Sequence, residues 1–385
     1  MEKNKIDVIT IDFSKAFDSI SHNKLIYKLL SYGIYGKLNG WIKDFLIGRY
    51  FNVVLNNSKS KWFSVNSSVP QGSKLGPLLY ILYANDLVEI FKYAKVKMYA
   101  DDLTIYAVVN NESDKHKLQN ELNELCEWAD KWQLSINFNK CSVLHFGYNN
   151  NNFTYKLKEL EVKTCQSEKI LGVTIDSDLT FHEHIYQCVN KASRMNNLIL
   201  MNMKYVDIAT LINLYKCFSR PLLEYACVIF SPHHKYLIDV IENVQRRFTK
   251  RLPGLFNKKY RDRLKICELE LLETRRICTD VALMYKILNG YVCIELNDCV
   301  CISDSVNTRG NNCKLSKFGA RLDVRKYFLR VSVLMYGTAY TCIYIYIVNG
   351  KENFTLLSHT ISFISVTFSS LLFRIWSRKA ILWIQ

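Results

Sequence analysis

The chain lacks any C-x-x-C pair and any H-E-x-x-H stretch. Its thirteen cysteines are scattered and odd in number, which excludes the spacing of a disulfide framework and points to reduced thiols. Cys293, Cys299, Cys301 and Cys313 cluster loosely, but no His falls among them and their spacing suits no zinc site. His182-Glu183-His184 places its two histidines two residues apart, off a common helix face, and reads as surface polar sequence. No internal repeat stands out, and no secretory leader precedes the first strand pattern. The expectation is an intracellular protein of the nucleus or cytoplasm, not a secreted one.

Acids are also short. Against 51 Lys and Arg stand 35 Asp and Glu, a net charge of +16, which favours an acidic partner, either nucleic acid or an anionic membrane surface. Long apolar runs are nearly missing too. Val331 to Val348 is uncharged and barely long enough to span a bilayer, yet it is β-branched and holds Gly337. It reads as a poorly specified extension, and no membrane partner is expected.

At 385 residues and 49% hydrophobic, the chain can fill more than one core. Ile6 to Ile11 reads as a strand ended by Asp12. Ser21 caps a helix carrying Leu25, Ile26, Leu29 and Leu30, which Gly33 ends. Trp41 to Phe51 reads as a helix leading into strands near Val53-Leu55 and Trp62-Val65. A turn at Pro70-Gln71-Gly72 precedes a helix from Gly76 through Phe91. Ser113 is the expected cap of a long helix with Leu118, Leu122, Leu125, Ala129 and Trp132 on one face. Strands are expected at Ser142 to Phe146 and Ile170 to Ile175. From about 181 to 290 the pattern is helical.

Tyr99-Ala100-Asp101-Asp102 reads as the tip of a β-hairpin. Two adjacent carboxylates repel unless a cation joins them. With Asp12 on a neighbouring strand end, three carboxylates can hold two Mg²⁺ ions roughly 3.5–4 Å apart, an arrangement suited to in-line phosphoryl transfer.

Three stretches now share an order: Asp12-Phe13-Ser14-Lys15-Ala16-Phe17-Asp18, Pro70-Gln71-Gly72-Ser73-Lys74-Leu75-Gly76-Pro77, and Tyr99-Ala100-Asp101-Asp102. They resemble the successive palm motifs of reverse transcriptases, most closely those of non-LTR retrotransposons, the jockey-like and chicken-repeat-like LINE elements. The resemblance continues through Asn137-Phe138-Asn139-Lys140, Lys169-Ile170-Leu171-Gly172, Arg220 to Ala226 and Val244-Gln245-Arg246-Arg247, and it fades after Phe328.

The resemblance implies an RNA-directed DNA polymerase using RNA template, DNA primer, dNTP and two Mg²⁺ ions (Mn²⁺ as a substitute), with no small-molecule cofactor. Asp12, Asp101 and Asp102 would be the metal ligands and Lys140 the general acid for pyrophosphate. Phe13, Ala16, Phe17, Gln71 and Gly72 would meet the nucleotide, Phe17 as the bulky residue beneath its sugar. Leu171 and Gly172 would grip the primer end. Arg246, Arg247, Lys250 and Arg251 fall off the apolar stripe of their helix, where they can track phosphates.

The resemblance also shows departures. Only eleven residues precede Asp12, where family members carry fingers and, in most, an endonuclease. The expected fold is therefore α+β, a truncated right hand: a palm at 1–176 with antiparallel sheet and helices, a helical thumb at 177–292, and a basic then apolar extension at 293–385. The alternative is an inactive truncated remnant that binds nucleic acid without turnover. Oligomeric state is not legible in the sequence.

Overall fold

Strand β1 (Ile6–Asp12) sits inside a five-stranded sheet because its alternate residues are apolar on both sides, and the strand is buried over nearly its whole length. In the computed structural model, residues 5–292 are described, with the paired dipeptides Cys301–Ile302 and Leu315–Ser316; the run 331–348 and Cys293, Cys299 and Cys313 lie outside the described residues. The chain divides into two units, Lys3–Glu168 and one beginning at Lys169.

In the first unit, β1 is followed by α1 (His22–Ser31) and α2 (Gly36–Leu46). Four two-residue strands come next: β2 (Tyr50–Phe51), β3 (Val54–Leu55), β4 (Ser58–Lys59) and β5 (Phe63–Ser64). β2 pairs with β5 and β3 with β4, the latter through Asn56-Asn57, both left-handed at φ +44° and +66° as a two-residue hairpin turn requires. Then follow α3 (Leu75–Ala84), a 3₁₀ segment (Asn85–Ile90), β6 (Lys95–Tyr99), β7 (Asp102–Val108) and α4 (Glu112–Trp132). β8 (Ser142–Phe146), β9 (Lys156–Leu157), β10 (Leu160–Glu161) and β11 (Lys163–Cys165) complete the unit. The sheet order is β11-β8-β1-β7-β6, antiparallel except for β11 against β8. The α+β expectation holds.

Strand alternation divides the sheet into two faces. Ile9, Ile11, Leu103, Ile105, Ala107 and Val143 join Leu25, Leu29, Tyr83, Leu118, Leu122 and Leu125 of the helices in one core. The residues between them, Thr10, Asp12, Asp102, Thr104 and Ser142, point the other way, away from that core. Three helix boundaries differ from expectation. α2 begins at Gly36, five residues before Trp41, and α3 gives way to the 3₁₀ turn at Asn85. The cap of α4 is Asn111, whose side chain accepts from the Asp114 N–H, so Ser113 lies inside the first turn.

Lys28 ties the helical layer together. It is 3% exposed, donates to the Tyr83 carbonyl and to Asp86 Oδ1 at 2.5 Å, and lies 3.7 Å from the Trp132 ring centroid and 4.9 Å from that of Trp128. Burial pushes its ammonium pKa down, and Asp86 opposes that shift. Lys28→Ala should cost about 2 kcal/mol in a urea melt, since it removes a desolvated cation–π contact and leaves Asp86 unpaired. An unchanged midpoint would show that the cage carries no stability.

The second unit opens with the hairpin end of β12 (Ser167–Ile170) and β13 (Val173–Asp176), where a single strand from Ile170 was expected. It continues with α5 (His182–Asn202), α6 (Ile208–Leu214), a π turn (Tyr215–Ser219), α7 (Arg220–Glu224), α8 (Cys227–Phe230), α9 (Lys235–Lys250), α10 (Tyr260–Ile266) and α11 (Leu272–Leu288). Tyr215 stacks on Phe248 at 4.7 Å in a core shared by Ile199, Leu211 and Leu264. Among the described residues no helix is long and apolar enough to cross a membrane.

Candidate active site

β1 and β7 end together. Their register pairs Asp12 with Asp102, so the two carboxylates leave directly opposed backbone positions, whose Cα atoms stand about 4.5–5.5 Å apart in an antiparallel pair. Tyr99 pairs with Asp102 across the β6–β7 turn, leaving Ala100-Asp101 as its two tip residues. Ala100 sits at φ +53°, a conformation glycine usually takes, so the turn that presents Asp101 is strained. The far end of β6 is fixed by Glu121 of α4, which accepts from the N–H groups of Lys92, Tyr93 and Ala94.

The residues after α4 return to β1. Ser14 N–H donates to the Ser135 carbonyl and Asn137 N–H to the Asp12 carbonyl, 2.7 and 2.8 Å. This brings Lys140 Nζ to 3.4 Å from Asp12 Oδ2, with Lys140 65% and Asp12 29% exposed. Loss of surrounding water raises the Asp102 carboxyl above its ordinary range, with Asp101 and Asp12 adding to the shift and Lys140 opposing it. A carboxyl that holds its proton more tightly in the folded chain favours the fold at low pH, and that contribution is lost as pH rises through the raised value. At neutral pH the ionised group works against the fold. Asp102→Asn should therefore raise the Tm by about 1–2 °C at pH 7 and leave it unchanged near pH 3, read by circular dichroism. An equal shift at both pH values would remove Asp102 ionisation as its cause.

The donor set is three carboxylates beside one lysine, hard oxygens of the kind Mg²⁺ takes. Asp12 and Asp102 end neighbouring interior strands with Asp101 in the adjoining turn, and the set fits a divalent cation chemically. Among the described residues no three Asp, Glu, His or Cys side chains close on a common point.

The loop after β1 carries the next group. Phe13 and Ala16 are buried in the core, so their side chains pack inward, and it is the backbone of Ala16 that a ligand could approach. Phe17 is half-buried and stacks on Tyr80 of α3, centroids 4.6 Å apart at 27°. Gln71 Nε2 donates to Asp18 Oδ1 at 2.8 Å, and Gly72 adopts φ +80°. A Cβ on Gly76 would meet the Pro70 carbonyl at 2.8 Å, so only glycine lets α3 start this close to the loop. Tyr80 and Asp18 were not singled out in the sequence. Tyr80 had no signal beyond its place in an apolar helix, whereas Asp18 closes a quoted motif.

In the second unit, Leu171 (φ +47°) and Gly172 (φ +87°) form the β12–β13 turn. Tyr225 braces it: its hydroxyl donates to the Leu171 carbonyl at 3.0 Å, and a Cβ on Gly172 would meet its ring at 3.3 Å. Arg246, Arg247, Lys250 and Arg251 lie exposed at the end of α9, opposite the buried Leu237, Ile241, Val244 and Phe248. His184 corrects the surface reading of its tripeptide. It is buried, accepts from the Thr174 N–H at 3.2 Å and packs edge-on to Phe230, and burial lowers its pKa to about 4. The missed signal is the stripe it shares with Ile185, Ala192 and Ile199.

Residues 2–175 match the reverse transcriptase (RNA-dependent DNA polymerase) family. The chain is 29% identical over 266 residues to an RNA-directed DNA polymerase from the mobile element jockey of Drosophila funebris, covering 63% of this chain and 28% of that protein. It is 32% identical over 229 residues to a probable RNA-directed DNA polymerase from transposon BS of Drosophila melanogaster, covering 53% and 24%. The chain thus spans under a third of the length of these relatives. A telomerase from Candida albicans, solved with a fragment of telomeric RNA, overlays 69% of this chain and 51% of its own at 10% identity and a TM-score of 0.40.

Proposed function

We propose that this chain, whose residues 2–175 match the reverse transcriptase (RNA-dependent DNA polymerase) family, carries out RNA-templated DNA synthesis from deoxynucleoside triphosphates. The observation that carries the reading is the register pairing of Asp12 with Asp102 at adjacent strand ends, with Lys140 at 3.4 Å from Asp12. The family generally uses divalent metal ions, and here Asp12, Asp101 and Asp102 would hold two Mg²⁺. When bound, such ions lower the pKa of the primer hydroxyl and neutralise the triphosphate.

In this reaction the primer 3′-hydroxyl releases its proton to solvent and its oxygen bonds to the α-phosphorus, as the bond from that phosphorus to the oxygen bridging to the β-phosphate breaks and pyrophosphate leaves. Lys140 supplies a proton to the leaving group. Phe17 stands beneath the incoming sugar, with Phe13 fixing the strand end from the core, and the Ala16 backbone approaches the triphosphate. Gln71, oriented by Asp18, meets the sugar or templating base, and Gly72 leaves room for it. Leu171 and Gly172 contact the primer end, and Arg246, Arg247, Lys250 and Arg251 the phosphates of primer and template. Residues 1–176 act as palm, 177–292 as thumb, and 293–385 as an extension. We assign the activity to the cell interior, where the free thiols of Cys126, Cys141 and Cys227 stay reduced.

The test is primer extension on poly-rA/oligo-dT with the purified chain and Mg²⁺. Extension above background supports the reading. RNA binding without extension identifies a remnant that has lost turnover.

A further inference from the structure

From position 45 to position 85 the chain carries no acidic residue, against Arg49, Lys59, Lys61 and Lys74. The middle of this stretch is the ribbon formed by β2 and β5, tipped by β3 and β4. Its rings stand in water: Tyr50 is 65% exposed, Phe51 51%, Trp62 67% and Phe63 52%. Phe51 and Phe63 oppose each other in register, centroids 5.6 Å apart, so strand alternation turns Tyr50 to the other face, and Trp62 immediately precedes the paired Phe63. Lys59 and Lys61 flank them, both exposed.

At the ribbon's root lies a cavity of about 380 Å³, lined by His22, Asn23, Arg49, Tyr50, Ser64 and Asn66. Arg49 is fixed at its wall by donating to the Leu46 and Ser68 carbonyls, 2.8 and 3.0 Å. The return strand continues straight to the nucleotide loop: Ser68 N–H donates to the Ile20 carbonyl, Val69 N–H to the Phe17 carbonyl, and Pro70-Gln71-Gly72 follows. The ribbon therefore stands on the backbone that carries Phe17 and Gln71.

We propose that the ribbon and the cavity at its root form a platform for single-stranded nucleic acid, the unpaired template ahead of the primer terminus. Bases stack on Tyr50 and Trp62, and Arg49, Lys59 and Lys61 meet the phosphates. The charge decides for this occupant. Exposed rings among cations of one sign, with no acid over the whole segment, are what a flexible polyanion with a π-face on every unit requires. Naming the strand as template rests on the polymerase reading; the binding itself does not.

The test is fluorescence anisotropy of a labelled single-stranded RNA with the full chain, without Mg²⁺. Tyr50→Leu and Trp62→Leu should each weaken binding about tenfold, while Trp62→Phe, which keeps a π-face, should restore it. Lys59→Gln with Lys61→Gln should make the salt dependence shallower by about 1 to 1.5 in log–log slope. These side chains are exposed, so circular dichroism should be unchanged. Equal affinity in the leucine variants overturns the proposal, as does a change in self-association by sedimentation with RNA affinity intact. Template-directed extension separates the two readings. Active enzyme with unaltered RNA binding in the variants sinks the platform alone, and weakened binding in a chain that never extends a primer sinks the polymerase alone.

Discussion

Asp101→Asn should lower Mg²⁺-dependent primer extension by about a thousandfold, the equivalent of roughly 4 kcal/mol of transition-state stabilisation. The substitution keeps the side chain's shape and removes one charge. The turn that carries it is set by backbone, with Ala100 at φ +53° and the Tyr99–Asp102 pair closing the hairpin, so the fold should survive. Asp12→Asn should be equally inactive, and it also releases Lys140 from its ion pair. The measurement is initial rate on a recessed primer at saturating dNTP, with thermal melts as the control for folding. If either variant extends primers within tenfold of the parent chain, the carboxylates are not the reacting centre.

Phe17→Val should collapse sugar discrimination. Phe17 lies on Tyr80, which is 1% exposed, so the ring is backed by a side chain with nowhere to move. A ring held this firmly cannot yield to a ribose 2′-hydroxyl, the group that distinguishes the two sugars. Removing it should cut the preference for dNTP over rNTP, as a ratio of kcat/KM in single-nucleotide incorporation, by about a hundredfold, or roughly 3 kcal/mol. Incorporation of dNTP should fall only a few-fold. A ratio that stays constant while both substrates slow together would make Phe17 an ordinary packing residue.

Much of the candidate site was legible because its motifs are local. Asp12 ends a strand whose alternation is visible in six residues, and Asp101-Asp102 sit between two β-rich runs. The basic end of α9 was legible for the same reason, its charges lying off a stripe with helical spacing. Boundaries failed where a neighbour outweighed the local pattern. Asn111 rather than Ser113 satisfies the first N–H groups of α4. His184 was misplaced because two adjacent polar residues hid the stripe to which it belongs.

By itself, the sequence carried the resemblance to reverse transcriptases, the α+β class and the identity of the charged residues, since each rests on short patterns of period two or 3.6 and on motifs read in order. Tertiary structure alone decided which of them meet. Asp12 faces Asp102 because β1 inserts between β7 and β8 in one register, and a slip of β1 by one residue would turn Asp12 into the helical core while Asp102 stayed on the other face. Tyr80 beneath Phe17, Asp18 on Gln71 and Lys140 beside Asp12 are likewise contacts between segments distant in the chain, and only packing chooses among the partners that local pattern allows.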